Sequence, residues 1–183
     1  MGLITTNLLS AFYHIFKKIQ GGISKYPQQT ISLSKVKQDA ENNFRQGYFC
    51  CEALMSAIRD NFYLDLPKEV IAMASGMTVG VGRSGCICGA LNGGVLALGL
   101  FFGRTEPTGP QDAKINKCLA LTNELHDWFK ATNGKNAVCC RILTHEFDMG
   151  KGEHKEQCIS FTGMCAEKTA EIIARELAII ILP

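Results

Sequence analysis

The chain has 183 residues, 46% of them hydrophobic and 20% charged, which suits one domain with a core large enough to fold without cross-links. That composition excludes disorder, coiled coil and collagen. Nineteen Lys and Arg against seventeen Asp and Glu leave a net charge of +2, which gives no electrostatic case for nucleic acid as a partner.

Apolar residues recur at helical spacing almost throughout. This predicts an all-α, single-domain bundle of about six to seven helices with an extra amphipathic helix at the N-terminus. The extra helix carries Ile4, Leu8, Phe12, Ile15, Phe16 and Ile19 and stops at Gly21-Gly22; with a linker holding Pro27 it fills residues 1–31. Residues 32–183 form the cysteine-rich domain. Ser32 or Ser34 caps a helix over Lys35 to Arg45, closed by Gly47. A further helix is expected from Cys50 to Tyr63, and Pro67 opens another through Val70, Ile71 and Met73. Gly76 to Gly85 then holds four glycines in ten residues, a loop free to take positive φ. An apolar helix from Cys88 to Phe102 follows, too short and too rich in glycine to span a membrane and read as buried core. Helices over Gln111 to Ala131, Cys139 to Thr144 and Glu156 to Ile180 complete the chain, the last two separated by a polar loop from Asp148 to Lys155.

Cysteine is the outlier, with nine residues: Cys50, Cys51, Cys86, Cys88, Cys118, Cys139, Cys140, Cys158 and Cys165. An odd count cannot be a closed disulfide framework. The N-terminus places its apolar run before Lys17 and Lys18, the reverse of a secretory signal, so a reducing, cytoplasmic setting is expected, in which surplus cysteines point to metal or redox chemistry. Zinc knuckles are excluded because no Cys-x2-Cys occurs, and a thioredoxin-like site fails for the same reason. Cys50, Cys88, Cys140 and Cys158 each fall near the start of a separate predicted helix, where free amides and the helix dipole would lower a thiol pKa. Four converging thiolates need something cationic between them, and an iron–sulfur cluster meets that need. The plainer reading is that buried cysteines act as small hydrophobes. It suits Cys118, which shares a helical face with Leu121 and Leu125, and Cys165, which shares one with Phe161 and Ile172.

Gly80-x-Gly82-x-x-Gly85 spells a dinucleotide fingerprint, but no strand precedes it. Gly82, Gly85 and Gly89 are instead read as backbone lying against a buried group, with Arg83 offsetting its negative charge. Of the four histidines, His145 and His154 fall near the candidate ligands.

Gly47-Tyr48-Phe49-Cys50-Cys51-Glu52-Ala53, the glycine loop, Cys88-Gly89-Ala90-Leu91-Asn92-Gly93, Cys140-Arg141 and Cys158 together resemble the C_GCAxxG_C_C family of redox-active proteins over about residues 34 to 178. The resemblance implies that the family's four cysteines are Cys50, Cys88, Cys140 and Cys158. A similar domain in split-Soret cytochromes is associated with an iron–sulfur centre, which implies cluster binding, two-iron favoured and four-iron the alternative. Family members often belong to loci encoding transporters, so a transporter is one expected partner beside an unidentified redox protein. Cys51, Cys86 and Cys139 leave the ligand at each doubled position open. The competing chemistry is cluster-free thiol–disulfide exchange, and a third reading is a transporter-associated module with a structural metal site. Apolar surface on the first helix and on Ile179 to Leu182 also predicts a homodimer, with membrane-surface attachment of the first helix as its rival.

Overall fold

A computed structural model of the chain describes residues 30–183, so the expected first helix and its linker lie outside the described residues. The described part is helical but for one small sheet. In chain order it runs β1 (Thr30–Ser32), α1 (Leu33–Arg45), α2 (Cys50–Asn61), α3 (Glu69–Ala72), a 3-10 turn (Ser75–Met77), a one-turn element (Thr78–Val81), α4 (Gly89–Phe102), α5 (Ala113–Thr132), α6 (Cys140–Leu143), α7 (Lys155–Glu176) and β2 (Ile180–Leu182).

The caps explain several boundaries. Lys35 N–H donates to Ser32 Oγ at 3.4 Å, and Ile115 N–H donates to Asp112 Oδ1 at 2.9 Å, so each helix begins where a short polar side chain can satisfy an orphan amide. Glu52 reaches back from α2, accepting from Phe49 N–H at 2.8 Å, while its other oxygen accepts from Ser75 Oγ at 2.5 Å. One carboxylate thus fixes the start of α2 to the 3-10 turn.

α7 is the central helix, packed against α1, α2, α4 and α5. It buries Phe161, Cys165, Ala166, Ala170, Ile172 and Ile173, residues of mostly modest size that let its neighbours close on several sides. α4 is apolar nearly all round and is buried accordingly, with Leu91, Leu98, Phe101 and Phe102 each removed from water at about 1.5–3 kcal/mol per side chain. Glycine brings α4 close to both partners. A Cβ on Gly93 would sit 3.1 Å from Leu54 Cβ and 3.2 Å from the Cys51 carbonyl oxygen, and one on Gly94 would meet Leu125 at 2.5 Å and Thr169 at 2.6 Å. No helix among the described residues is long and apolar enough to cross a membrane.

The C-terminus departs from expectation. Helical periodicity predicts α7 to Ile180, but it stops at Glu176 and Ala178 takes a φ of +54°. Ile180, Ile181 and Leu182 then pair in parallel with Thr30, Ile31 and Ser32. The run Ile179 to Leu182 is apolar and β-branched at its three isoleucines, and a strand already waits beside it, so pairing wins over one more helical turn. The fourth expected helix also shrinks, to Glu69–Ala72.

Candidate functional site

Four helix starts meet at one end of the bundle. Cys50 is the first residue of α2, Cys88 the N-cap of α4, Cys140 the first residue of α6, and Cys158 the fourth residue of α7. All four line a single cavity of about 620 Å³, together with Arg83, Gly85, Gly89 and Arg141. Gly82 is not part of the lining, and open space surrounds it.

The doubled cysteines separate cleanly. Cys50 lines the cavity, whereas Cys51 is fully buried in the hydrophobic core and does not. Cys140 lines it, whereas the Cys139 thiol donates to the Gly85 carbonyl at 2.9 Å. Cys88 lines it, whereas Cys86 is exposed. Helix geometry accounts for the first case, because adjacent residues on a helix point about 100° apart. A short antiparallel bridge between Ile87 and Cys139 accounts for Cys139 and Cys140, since successive residues there face opposite sides, while Cys88 is set apart from Cys86 as the N-cap of α4. Cys118 and Cys165 are buried in the core, as their helical faces predict.

The backbone that holds these thiols is unusual. Val79, Gly80, Val81, Gly82 and Arg83 have φ of +50°, +69°, +63°, +59° and +67°, so the chain winds left-handed for five successive residues. Two of them are valines, for which this conformation costs roughly 1–2 kcal/mol each. The contacts around the turn impose it. Cys86 N–H donates to the Gly80 carbonyl at 2.9 Å, and Ser84 Oγ donates to the same oxygen at 2.7 Å. Arg141 N–H donates to the Gly85 carbonyl at 3.0 Å, and its guanidinium to the Ser84 carbonyl at 2.8 Å. A Cβ on Gly80 would lie 2.7 Å from Cys140 Cβ, so the turn and α6 are in direct contact. The result is a Val79 amide that hydrogen-bonds the Cys50 sulfur.

The glycines of Cys88-Gly89-Ala90-Leu91-Asn92-Gly93 have a matching role. Gly89 and Gly93 are one turn apart on α4. A Cβ on the first would overlap Cys50 Sγ, and a Cβ on the second would press on the backbone of Cys51. Together they let α4 lie against the start of α2 and bring the Cys50 thiol up to Cys88. Asn92 fixes the approach by donating to the Met77 carbonyl at 3.1 Å and the Ile87 carbonyl at 3.4 Å.

Electrostatics reverse the expectation for the thiols. Helix starts were expected to favour thiolates, yet burial pushes all four upward. Cys158 is raised to about 12, first by desolvation and then by the neighbouring Cys50 and Cys140. Cys88 is raised by the same desolvation with Cys50 beside it, although the Ala90 and Leu91 amides pull the other way. Amide donors do act on Cys50, from Val79, Cys51 and Cys50 itself, but removal from water outweighs them. The cavity therefore holds four neutral thiols at pH 7. Each of Cys88, Cys140 and Cys158 is also pushed up by the nearby Cys50 thiol, as expected for groups that share one cavity. Cys165 lies close enough to feel Cys88 and Cys50 while staying in the core.

Sequence reasoning missed Val79 and Gly80, which build the left-handed turn, and Gly93, although Gly93 was visible in the motif itself. Of the histidines, His154 lines the cavity and has a buried Nδ1 with no hydrogen-bond partner among the described residues, while His145 Nδ1 is 2.9 Å from the Ile142 carbonyl outside it.

No curated protein and no solved structure shows detectable similarity to the chain. A family model described as "Putative redox-active protein (C_GCAxxG_C_C)" matches residues 48–172, well over half of the chain and all four cavity cysteines. The chain belongs to the C_GCAxxG_C_C redox-active protein family.

Proposed function

We propose that the chain holds an iron–sulfur cluster, two-iron favoured over four-iron, on Cys50, Cys88, Cys140 and Cys158, and exchanges single electrons with a partner protein. The observation that carries this reading is the convergence of four thiols, drawn from four separate helix starts, on one cavity. Buried neutral thiols are poor nucleophiles at pH 7, which counts against thiol–disulfide exchange by these residues. They are suitable ligands for a cation that displaces their protons. Among the described residues no three His, Cys, Asp or Glu side chains close on one ion-sized point.

A bound cluster supplies one-electron chemistry. The chain supplies the ligands, the Val79 amide on the Cys50 sulfur, and a shell of Phe44, Phe49 and Met149 that limits water. Hydrogen bonds to ligand sulfur and low solvent access are the means by which a protein sets a cluster potential. Phe49 and Met149 are also partly exposed, which gives a partner an apolar contact at the cavity mouth. The same proposal carries a cytoplasmic setting, a transporter as one partner and a homodimer, the last read by sedimentation of the full chain.

The test is purification without oxygen, followed by a visible spectrum and analysis for iron and acid-labile sulfide. Stoichiometric iron and sulfide, with a paramagnetic signal on one-electron reduction, are expected. A colourless protein in which all nine thiols titrate would overturn the reading.

A further inference from the structure

The charge around the cavity is one-sided. Arg83, Arg141, Lys151 and Lys155 line it, and among the described residues no carboxylate does. Lys151 has Asp148 at 3.5 Å, and the Arg141 guanidinium donates to the Ser84 carbonyl, but neither Arg83 nor Lys155 has an acidic partner among the described residues. In the rest of the described fold, cations are commonly answered, as in the forked contacts of Arg175 with Glu124 at 2.8 Å and of Lys168 with Glu124 and Glu171. A concave site lined by one sign of charge focuses its field on whatever enters and raises the local concentration of the opposite charge.

Size and chemistry add two further observations. A cavity of about 620 Å³ falls in the range of small-molecule sites, roughly 300–1,000 Å³, and a two-iron centre with its sulfides would fill a minor part of it. His154 lines the cavity and carries a buried Nδ1 with no partner among the described residues, a hydrogen-bonding group left unanswered beside the site. Apolar Phe44, Phe49 and Met149 stand beside these polar groups, the usual mixture for a ligand with a charged head and a carbon body.

We infer that the cavity is also a seat for a small anionic molecule, a phosphate- or carboxylate-bearing compound of metabolite size, held beside the thiols by Arg83, Arg141, Lys151, Lys155 and His154. The anion seat goes beyond electron carriage, because it brings a small molecule next to the redox centre. It does not require the cluster, since the cations and His154 belong to the chain.

The test titrates the full chain, as purified, with inorganic phosphate and separately with succinate, by calorimetry, with iron measured on the same samples. Saturable binding of one of them at one site per chain is expected, and the stronger ligand tells a phosphate head from a carboxylate one. The double variant Arg83→Ala with Lys155→Ala should weaken that binding at least tenfold, whereas Lys114→Ala with Lys130→Ala, which removes equal charge from α5, should leave it in place. Absence of saturable binding by both anions, or equal weakening in the two double variants, overturns the inference. Anion binding in samples that take up no iron supports the seat and refutes the cluster, so the two proposals fail separately.

Discussion

Cys50 and Cys51 are neighbours in the chain and both are buried in the core, but only Cys50 also opens on the cavity, so the pair marks the border between two regions of the molecule. Cys51 looks inward, where α2, α4 and α7 pack as regular helices through Leu54, Ala90, Leu91, Cys165 and Ala166. Cys50 looks toward the end of the bundle, where helices start, φ turns positive for five residues and four thiols meet. The interior is built by ordinary burial, which tolerates apolar side chains of about the right size. The cavity end departs from backbone preference, and structures hold such departures where geometry serves a site.

The sharpest way to break this contrast is to exchange sulfur for oxygen on each side of it. Cys50→Ser should abolish iron and sulfide uptake, since a ligand to the proposed cluster is lost. Cys51→Ser should keep both and cost about 1–2 kcal/mol in denaturant unfolding, the penalty for a buried hydroxyl that pairs imperfectly. Equal iron content in the two variants would erase the distinction between the doubled cysteines.

Gly89→Ala comes next. The added methyl would overlap Cys50 Sγ, with Thr78 Cα at 3.2 Å and the Met77 carbonyl oxygen at 3.3 Å on the other sides. With backbone on two sides the site cannot relax cheaply, and a loss of about 3 kcal/mol is expected from thermal or urea unfolding. Gly99→Ala on the same helix has nothing within 4 Å and should be neutral or slightly stabilising. If Gly89→Ala is as harmless as Gly99→Ala, the helix approach that seats Cys50 is misread.

The contrast also reaches pH. In the cluster-free chain Cys51 and Cys158 are raised from an ordinary 9.0 to about 12. A folded pKa above the unfolded one means that the native state holds its proton longer. Stability from these groups is therefore intact below pH 9 and declines as pH rises from about 9 toward 12. Urea midpoints of the cluster-free protein should fall across that window. Metal uptake must run oppositely, gaining as pH rises toward neutrality, because binding expels the protons of Cys158 and the other proposed ligands.

How far these regions could be read from sequence differs with the physics that builds them. The interior was legible: Ser32 caps α1, and Cys118 lies with Leu121 and Leu125, because both follow from local rules of capping and periodicity. The glycine run announced a loop, and the four helix starts placed the cysteines in register with their family. The left-handed winding could not be read, because valine disfavours it and only contacts with Cys86, Ser84 and Arg141 impose it. The direction of the thiol pKa was misjudged for a related reason. A helix dipole is visible in sequence, whereas the depth at which Cys88 and Cys158 sit is a property of the assembled chain.

The smallest effect tests that winding directly. Val81 has a φ of +63° and an exposed side chain, so Val81→Gly forfeits little packing and relieves strain of roughly 1–2 kcal/mol. Glycine's greater freedom in the unfolded chain takes back about 0.5–1 kcal/mol. A net stabilisation of about 0.5 kcal/mol is expected in urea unfolding. The next residue should show the opposite sign. Gly82 has a φ of +59° with nothing within 4 Å, so Gly82→Ala meets no steric obstacle and still costs about 1 kcal/mol from backbone conformation alone. Adjacent substitutions with opposite signs are what a left-handed turn requires. If both variants lose stability, or Gly82→Ala gains it, the segment is right-handed in solution and the Val79 amide no longer has a reason to face Cys50.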